Sequence, residues 1–135
     1  YVDALYDHHF DEAASPAART AAVTAMKRAH EIQTLAPLLD FLADRDDVRI
    51  LGNAGIGNDA RRVPTVALDT RKPAEGVADA LATHGIMAGA GDFYALRTIG
   101  AMGCDKDAGV LRLSFVHYTT DAEVAKLMTA LDATL

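Results

Sequence analysis

Arg112 stands in the middle of the most strand-like segment of the chain, Val110-Leu-Arg-Leu-Ser-Phe-Val-His117. A guanidinium keeps its charge at any ordinary pH and is seldom buried without a partner. Alternation along a strand sets Leu111, Leu113 and Phe115 on one face and Val110, Arg112, Ser114 and Val116 on the other. The first face has the composition of a core, whereas the second is half apolar and carries one fixed charge. Two readings follow. Arg112 is exposed on a sheet surface, the commoner case on periodicity alone, or it receives a carboxylate, whose geometry its planar bidentate fork matches.

The second candidate is segment 85–94, Gly-Ile-Met-Ala-Gly-Ala-Gly-Asp-Phe-Tyr. Gly89 and Gly91 precede Asp92, Phe93 and Tyr94, so pliant backbone carries polar and aromatic groups together, as loops at binding sites do. Residues 52–59, GNAGIGND, match neither G-x-G-x-x-G nor the phosphate loop with its lysine, and backbone flexibility accounts for them. Asp7, His8, His9 and Asp11 have no further ligand at a metal spacing, and adjacent histidines diverge, so no metal site is expected. His30 and His84 fall on helix flanks and His117 at a strand end. Cys104, in an apparent turn between Gly103 and Asp105, reads as an ordinary thiol. The acidic turn Asp44–Asp47 reads as soluble surface.

These residues belong to 135 residues of balanced composition, with room for one domain and a real core. A net charge of −6 argues against a nucleic-acid partner, which needs clustered Lys and Arg. One cysteine excludes an internal disulfide framework and any multi-cysteine metal site, and a cytoplasmic setting is expected. No signal peptide and no apolar run of about 18 residues is present, so no membrane span is expected. The chain opens on Tyr1 rather than Met, and it reads as a piece of something longer. Residues 1–14 are expected to tether a large domain, with 15–135 forming the domain itself.

Ser15-Pro16 reads as a helix start. A stripe of Val23, Met26, Ala29, Ile32, Leu35, Leu39 and Leu42 extends that helix to about Asp44, and Pro37 predicts a kink or break near Leu35–Ala36. Strands are expected at Val48–Leu51, Thr65–Leu68, Ile86–Ala88 and Val110–His117. Between them, Pro73–His84 reads as a helix with Val77, Ala80, Leu81 and His84 inward. Gly89–Gly91 reads as a turn and Phe93–Met102 as a short helix. Thr120 with Glu123 forms a capping box for a last helix ending near Ala133. Interleaved short strands and amphipathic helices make an α+β fold, a small, mostly antiparallel sheet covered by helices on one side.

The segment GIMAGAGDFYALR followed by VLRLSFVHYTTDAEVAKLMTAL resembles the C-terminal part of class V aminotransferases, fold-type I pyridoxal-phosphate enzymes. The group includes the cysteine desulfurases and the isopenicillin N epimerase-like proteins. The matching residues are Gly85, Ile86 and Gly91, then Arg112, Ser114, Tyr118 and Thr120. Upstream, RAHEIQTLAPLLDFLADRDDVRILG and PTVAL look like the long helix and first strands of the same domain. The GDFYA loop, Gly91–Ala95, is closest to the cysteine desulfurase-like subgroup.

The resemblance implies that Arg112 grips the α-carboxylate of an amino-acid substrate and that Gly89, Gly91, Asp92, Phe93 and Tyr94 overhang the cofactor cleft. Ser114 and Tyr118 look like structural supports. Tyr94 stands where a sulfur-accepting cysteine occurs in true desulfurases, and Thr119 replaces a frequent Asn. The implied cofactor is pyridoxal 5'-phosphate, held by a large N-terminal domain that supplies its lysine. Lys27, Lys72, Lys106 and Lys126 lack that lysine's context. No catalytic residue and no bound cofactor are therefore expected in this chain, which should be inactive alone, and the full-length enzyme should be a homodimer. Transamination, epimerisation and β-elimination are all open. The alternative is a self-contained α+β binding or dimerisation module without catalysis.

Overall fold

The computed structural model describes residues 1–55 and 62–135. In chain order they form α1 (Val2–His9), α2 (Pro16–Ala43), β1 (Val48–Leu51), β2 (Thr65–Thr70), α3 (Ala74–Thr83), β3 (Gly89–Gly91), α4 (Leu96–Ala101), β4 (Val110–Ser114) and α5 (Asp121–Thr134). The glycine-rich stretch 52–59 runs into residues 56–61, outside the described residues.

All strand pairings are antiparallel, and the sheet order is β1-β2-β4-β3. The fold is α+β, as expected. One face of the sheet offers Val66, Leu68, Leu111 and Leu113, which pack with Leu35, Leu38, Leu39 and Leu42 of α2, Val77 and Leu81 of α3, and Val124, Leu127 and Leu131 of α5. Among the described residues the opposite face is open except at one end. There Ile99 of α4, Cys104 and Val110 form a small second cluster, with Leu51, Phe93, Ala95 and Met102 against it. Val110 is thus buried although it shares a face with Arg112.

Local chemistry sets the helix ends. The Ser15 side chain accepts the N–H of Ala18, with Pro16 in the first turn of α2. Of the kink or break expected at Pro37, the break does not occur: α2 runs unbroken through it. Proline removes the N–H that would meet the Gln33 carbonyl. Gln33 and Pro37 both face solvent, so that carbonyl is open to water, while buried Leu35, Leu38, Leu39 and Leu42 hold the helix onto the sheet. Leu38 and Thr34, outside the expected stripe, are buried as well. His84 is exposed at the end of α3, and Ala74 is buried at its start, where the chain enters under the core.

The turn after α2 is more than a soluble surface. Arg45 pairs with Asp47 at 2.6 Å and with Asp132 of α5 at 2.7 Å, tying the two helix ends together. The Arg45 hydrogen bond holds the Asp47 carboxyl below the usual carboxylate range. Residues 2–9 form α1, docked on α2 through buried Tyr6, whose ring lies under Arg19, and through the Arg19–Asp7 pair at 2.7 Å.

β3 is displaced from its expected position. Gly89–Gly91 is the strand, and Ile86–Ala88 leads into it without pairing. Alternating side chains cannot signal a strand made of Gly-Ala-Gly, so its partner β4 defines it. β4 ends at Ser114, three residues before His117. The turn that follows is closed by the Val116 N–H donating to Thr119 Oγ1 at 3.1 Å and by the His30 ring against the Thr119 carbonyl at 2.9 Å. That carbonyl can only accept, so His30 presents Nε2–H to it.

Thr120 then starts α5 with a complete capping box: Thr120 Oγ1 accepts the Glu123 N–H, and the Glu123 carboxylate accepts the Thr120 N–H at 2.8 Å. These bonds keep the Glu123 carboxyl below its usual range. Thr120→Ala removes one half of the box and leaves α5 with an orphan donor. It should lower unfolding free energy by about 1 kcal/mol in urea denaturation, with an unchanged slope.

Candidate substrate-binding face around Arg112

Arg112 occupies the centre of the open sheet face. Its cross-strand neighbours are Ala67 on β2 and Gly89 on β3. Two small residues flank the arginine, so neither paired position sends a bulky side chain of its own against it. The carboxylate on the same face of β2, Asp69, is engaged elsewhere: Arg49 of β1 donates to it at 2.7 Å. Arg49 also reaches the Met102 carbonyl at 2.9 Å and the Cys104 sulfur at 3.3 Å. Among the described residues Arg112 has one partner, the ring of Phe93, whose centroid lies 4.2 Å from its Cζ. Arg112 is exposed, and among the described residues it makes neither an ion pair nor a hydrogen bond.

The loop after β3 brings Phe93 to it. Phe93 and Tyr94 both adopt left-handed backbone angles, φ 49° and 59°. Such angles cost side-chain-bearing residues about 1 kcal/mol or more each. The Asp92 carboxylate helps hold this shape by accepting the Tyr94 N–H at 2.8 Å, and the Asp92 carbonyl accepts the Ala95 N–H at 2.8 Å. Gly89 gives the Phe93 ring its seat. A Cβ at position 89 would stand 3.2 Å from two ring atoms and 3.7 Å from Arg112 Nε. Gly109, which opens β4, lets the two strands close at their other end; a Cβ there would lie 3.0 Å from the Gly91 Cα. Its φ of 67° disfavours other residues as well.

The residues singled out by sequence are therefore gathered together: Gly89, Gly91, Asp92, Phe93 and Tyr94 run beside Arg112 along one edge of the sheet. A hollow lined by Gly91, Asp92, Phe93, Tyr94, Lys106 and Gly109 adjoins them. Tyr94 points wholly into solvent. Ser114 and Tyr118 are exposed, and the turn between them is closed by Thr119 Oγ1, which accepts the Val116 N–H. Sequence reasoning missed Ala67, Gly109 and Asp69, whose roles arise from strand pairing rather than from any local motif. His8 and His9 stay on the surface, and among the described residues no His, Cys, Asp or Glu cluster could hold a metal. No helix among them is long and apolar enough to cross a membrane.

No family model matches the chain. It is 31% identical over 111 residues to the aminotransferase-like protein FGM3 of Gibberella zeae, covering 78% of this chain and 27% of that protein. Its fold matches the cysteine desulfurase CsdA of Escherichia coli (TM-score 0.59, 24% identity, 82% of this chain and 24% of that one). It also matches a NifS-like protein of Rickettsia africae (TM-score 0.62, 18% identity, 79% and 28%). A cysteine desulfurase of Thermococcus onnurineus aligns at TM-score 0.65 with 21% identity, over 78% of this chain and 25% of that one. The chain thus spans about a quarter of the length of the proteins it resembles.

Cys104 is buried under α4 and, through Arg49, beside Asp69. Burial, with the Asp69 charge second, pushes its thiol above the ordinary range, against the opposing pull of Arg49. The folded state thus favours the protonated thiol. Its contribution to stability is full below the ordinary thiol pKa, near 9, and is lost as pH rises through the raised value. Two outcomes are expected. Iodoacetamide at pH 8 should label Cys104 much more slowly than the urea-unfolded chain, and the urea midpoint should fall above about pH 9 by less in Cys104→Ser than in the parent.

Proposed function

We propose that this chain, aminotransferase-like in sequence and cysteine desulfurase-like in fold, is the C-terminal, substrate-carboxylate-binding domain of a class V pyridoxal-phosphate enzyme. One observation supports the reading above the others. Arg112 carries its charge at the centre of an open sheet face, flanked by Ala67 and Gly89, and the Asp69 carboxylate that could have neutralised it pairs with Arg49. A guanidinium so placed offers its in-plane N–H donors to an incoming carboxylate. Its work is binding and orientation: it fixes one end of an amino acid so that the bonds at the α-carbon hold a set direction.

The residues of this chain do not fit the cofactor's own site. A lysine that bonds covalently to a carbonyl cofactor is desolvated so that its amine can react. Here Lys72, Lys106 and Lys126 are exposed, and Lys27 is half-buried near the Tyr1 ring. Lys72 donates to the Thr134 carbonyl at 2.6 Å, and Lys106, which borders the hollow, lies along Gly100. The reading therefore assigns the cofactor to a large domain outside this sequence, with α1 lying at the junction. It assigns the fragment no chemistry by itself, and it places the whole enzyme, a homodimer, in the cytoplasm. Tyr94 at the loop position and the buried, protonated Cys104 argue for a reaction other than sulfur transfer through a persulfide.

Arg112→Lys in the full-length protein should weaken amino-acid binding roughly tenfold or more, because an ammonium cannot make the paired hydrogen bonds of the fork. Unchanged affinity in a calorimetric titration would overturn the assignment.

A further inference from the structure

We infer that Phe93 is a positioning residue for Arg112, an aromatic backstop that aims the guanidinium outward; the inference rests on the carboxylate-binding reading above. The first support is contact. The Arg112 Cζ lies 4.2 Å from the ring centroid, within the range where a cation is attracted to an aromatic face, and among the described residues this is its one interaction. An aromatic face satisfies charge without occupying the in-plane N–H donors as a carboxylate would. The arginine is thus steadied while its donors stay available.

The second support is that the local backbone is shaped around the ring. Phe93 sits at φ 49°, a conformation that side chains resist, and is followed by Tyr94 at 59°. A conventional turn would send residue 93 elsewhere. The Asp92 carboxylate at the Tyr94 N–H and the Asp92 carbonyl at the Ala95 N–H hold this geometry. Gly89, directly cross-strand from Arg112, has no Cβ where one would press to within 3.2 Å of the ring. Gly89, Phe93 and Arg112 therefore form one stack: bare backbone, ring, cation. Tyr94, fully exposed, takes no part in it.

Dissociation constants of L-alanine and of ethylamine, which lacks the carboxylate, measured by calorimetry on the full-length protein test this. Phe93→Leu should lower alanine affinity about tenfold and leave ethylamine unchanged, while Phe93→Tyr, which keeps the ring face, should stay within about threefold of the parent. Loss of both ligands in Phe93→Leu would mark a general structural role and overturn the inference, as would full alanine affinity in that variant while Arg112→Lys loses it. If the parent does not prefer alanine, or Arg112→Lys keeps the preference, the carboxylate reading itself falls.

Discussion

The pairing of β2 with β4 is the constraint on which the rest of this molecule depends. Leu68 lies across from Leu111 and Val66 from Leu113, and all four are buried beneath α2, α3 and α5. Side chains alternate strictly along a strand, so this pairing also decides what the opposite face shows. With the leucines inward, Arg112 must face outward opposite Ala67. A slip of one residue would drive a guanidinium into an apolar core without a partner, at a desolvation cost of several kcal/mol. The charge on the open face is thus held there by the hydrophobic core behind it.

Around that fixed point the molecule separates its charges by distance and partner. Arg49 and Asp69 neutralise each other one step along the ladder, and Arg45 joins Asp47 and Asp132 at the far end of the helices. Arg112 alone among these sheet and turn cations meets an aromatic ring in place of a carboxylate. Strain is concentrated in the same region. Phe93 and Tyr94 are the only non-glycine residues at positive φ among the described residues, and both lie within the loop beside Arg112. Such angles persist only where the surrounding structure over-determines them, here through Asp92 and the seat at Gly89.

Much of this was legible from residue order. The outward placement of Arg112 follows from Leu111, Leu113 and Phe115, and the start of α5 follows from Thr120 and Glu123, because periodicity and capping are local signals. The resemblance to class V aminotransferases rested on motifs around the same strand and loop. What escaped was non-local. β3 has no side-chain alternation to announce it, and only the backbone of β4 makes Gly89–Gly91 a strand. Val110 is buried by α4, an element whose docking no pattern within β4 reveals. Pro37 failed to break α2 because tertiary packing of its leucines outweighed a local preference. The stack of Gly89, Phe93 and Arg112 depends on a strand register and a left-handed turn together, and neither is written in a motif.

The sheet order carries a kinetic consequence. β2 and β4 are neighbours in space, but about 40 residues separate Leu68 from Leu111, and α3, β3 and α4 lie between them. Closing so long a loop costs entropy before any strand contact repays it. Local pieces such as the α1–α2 pair and the capped α5 can form early, whereas the central ladder must wait for the intervening elements to gather. Nascent chains will therefore hold helices before they hold a sheet, and the open face around Arg112 will be among the last surfaces to exist.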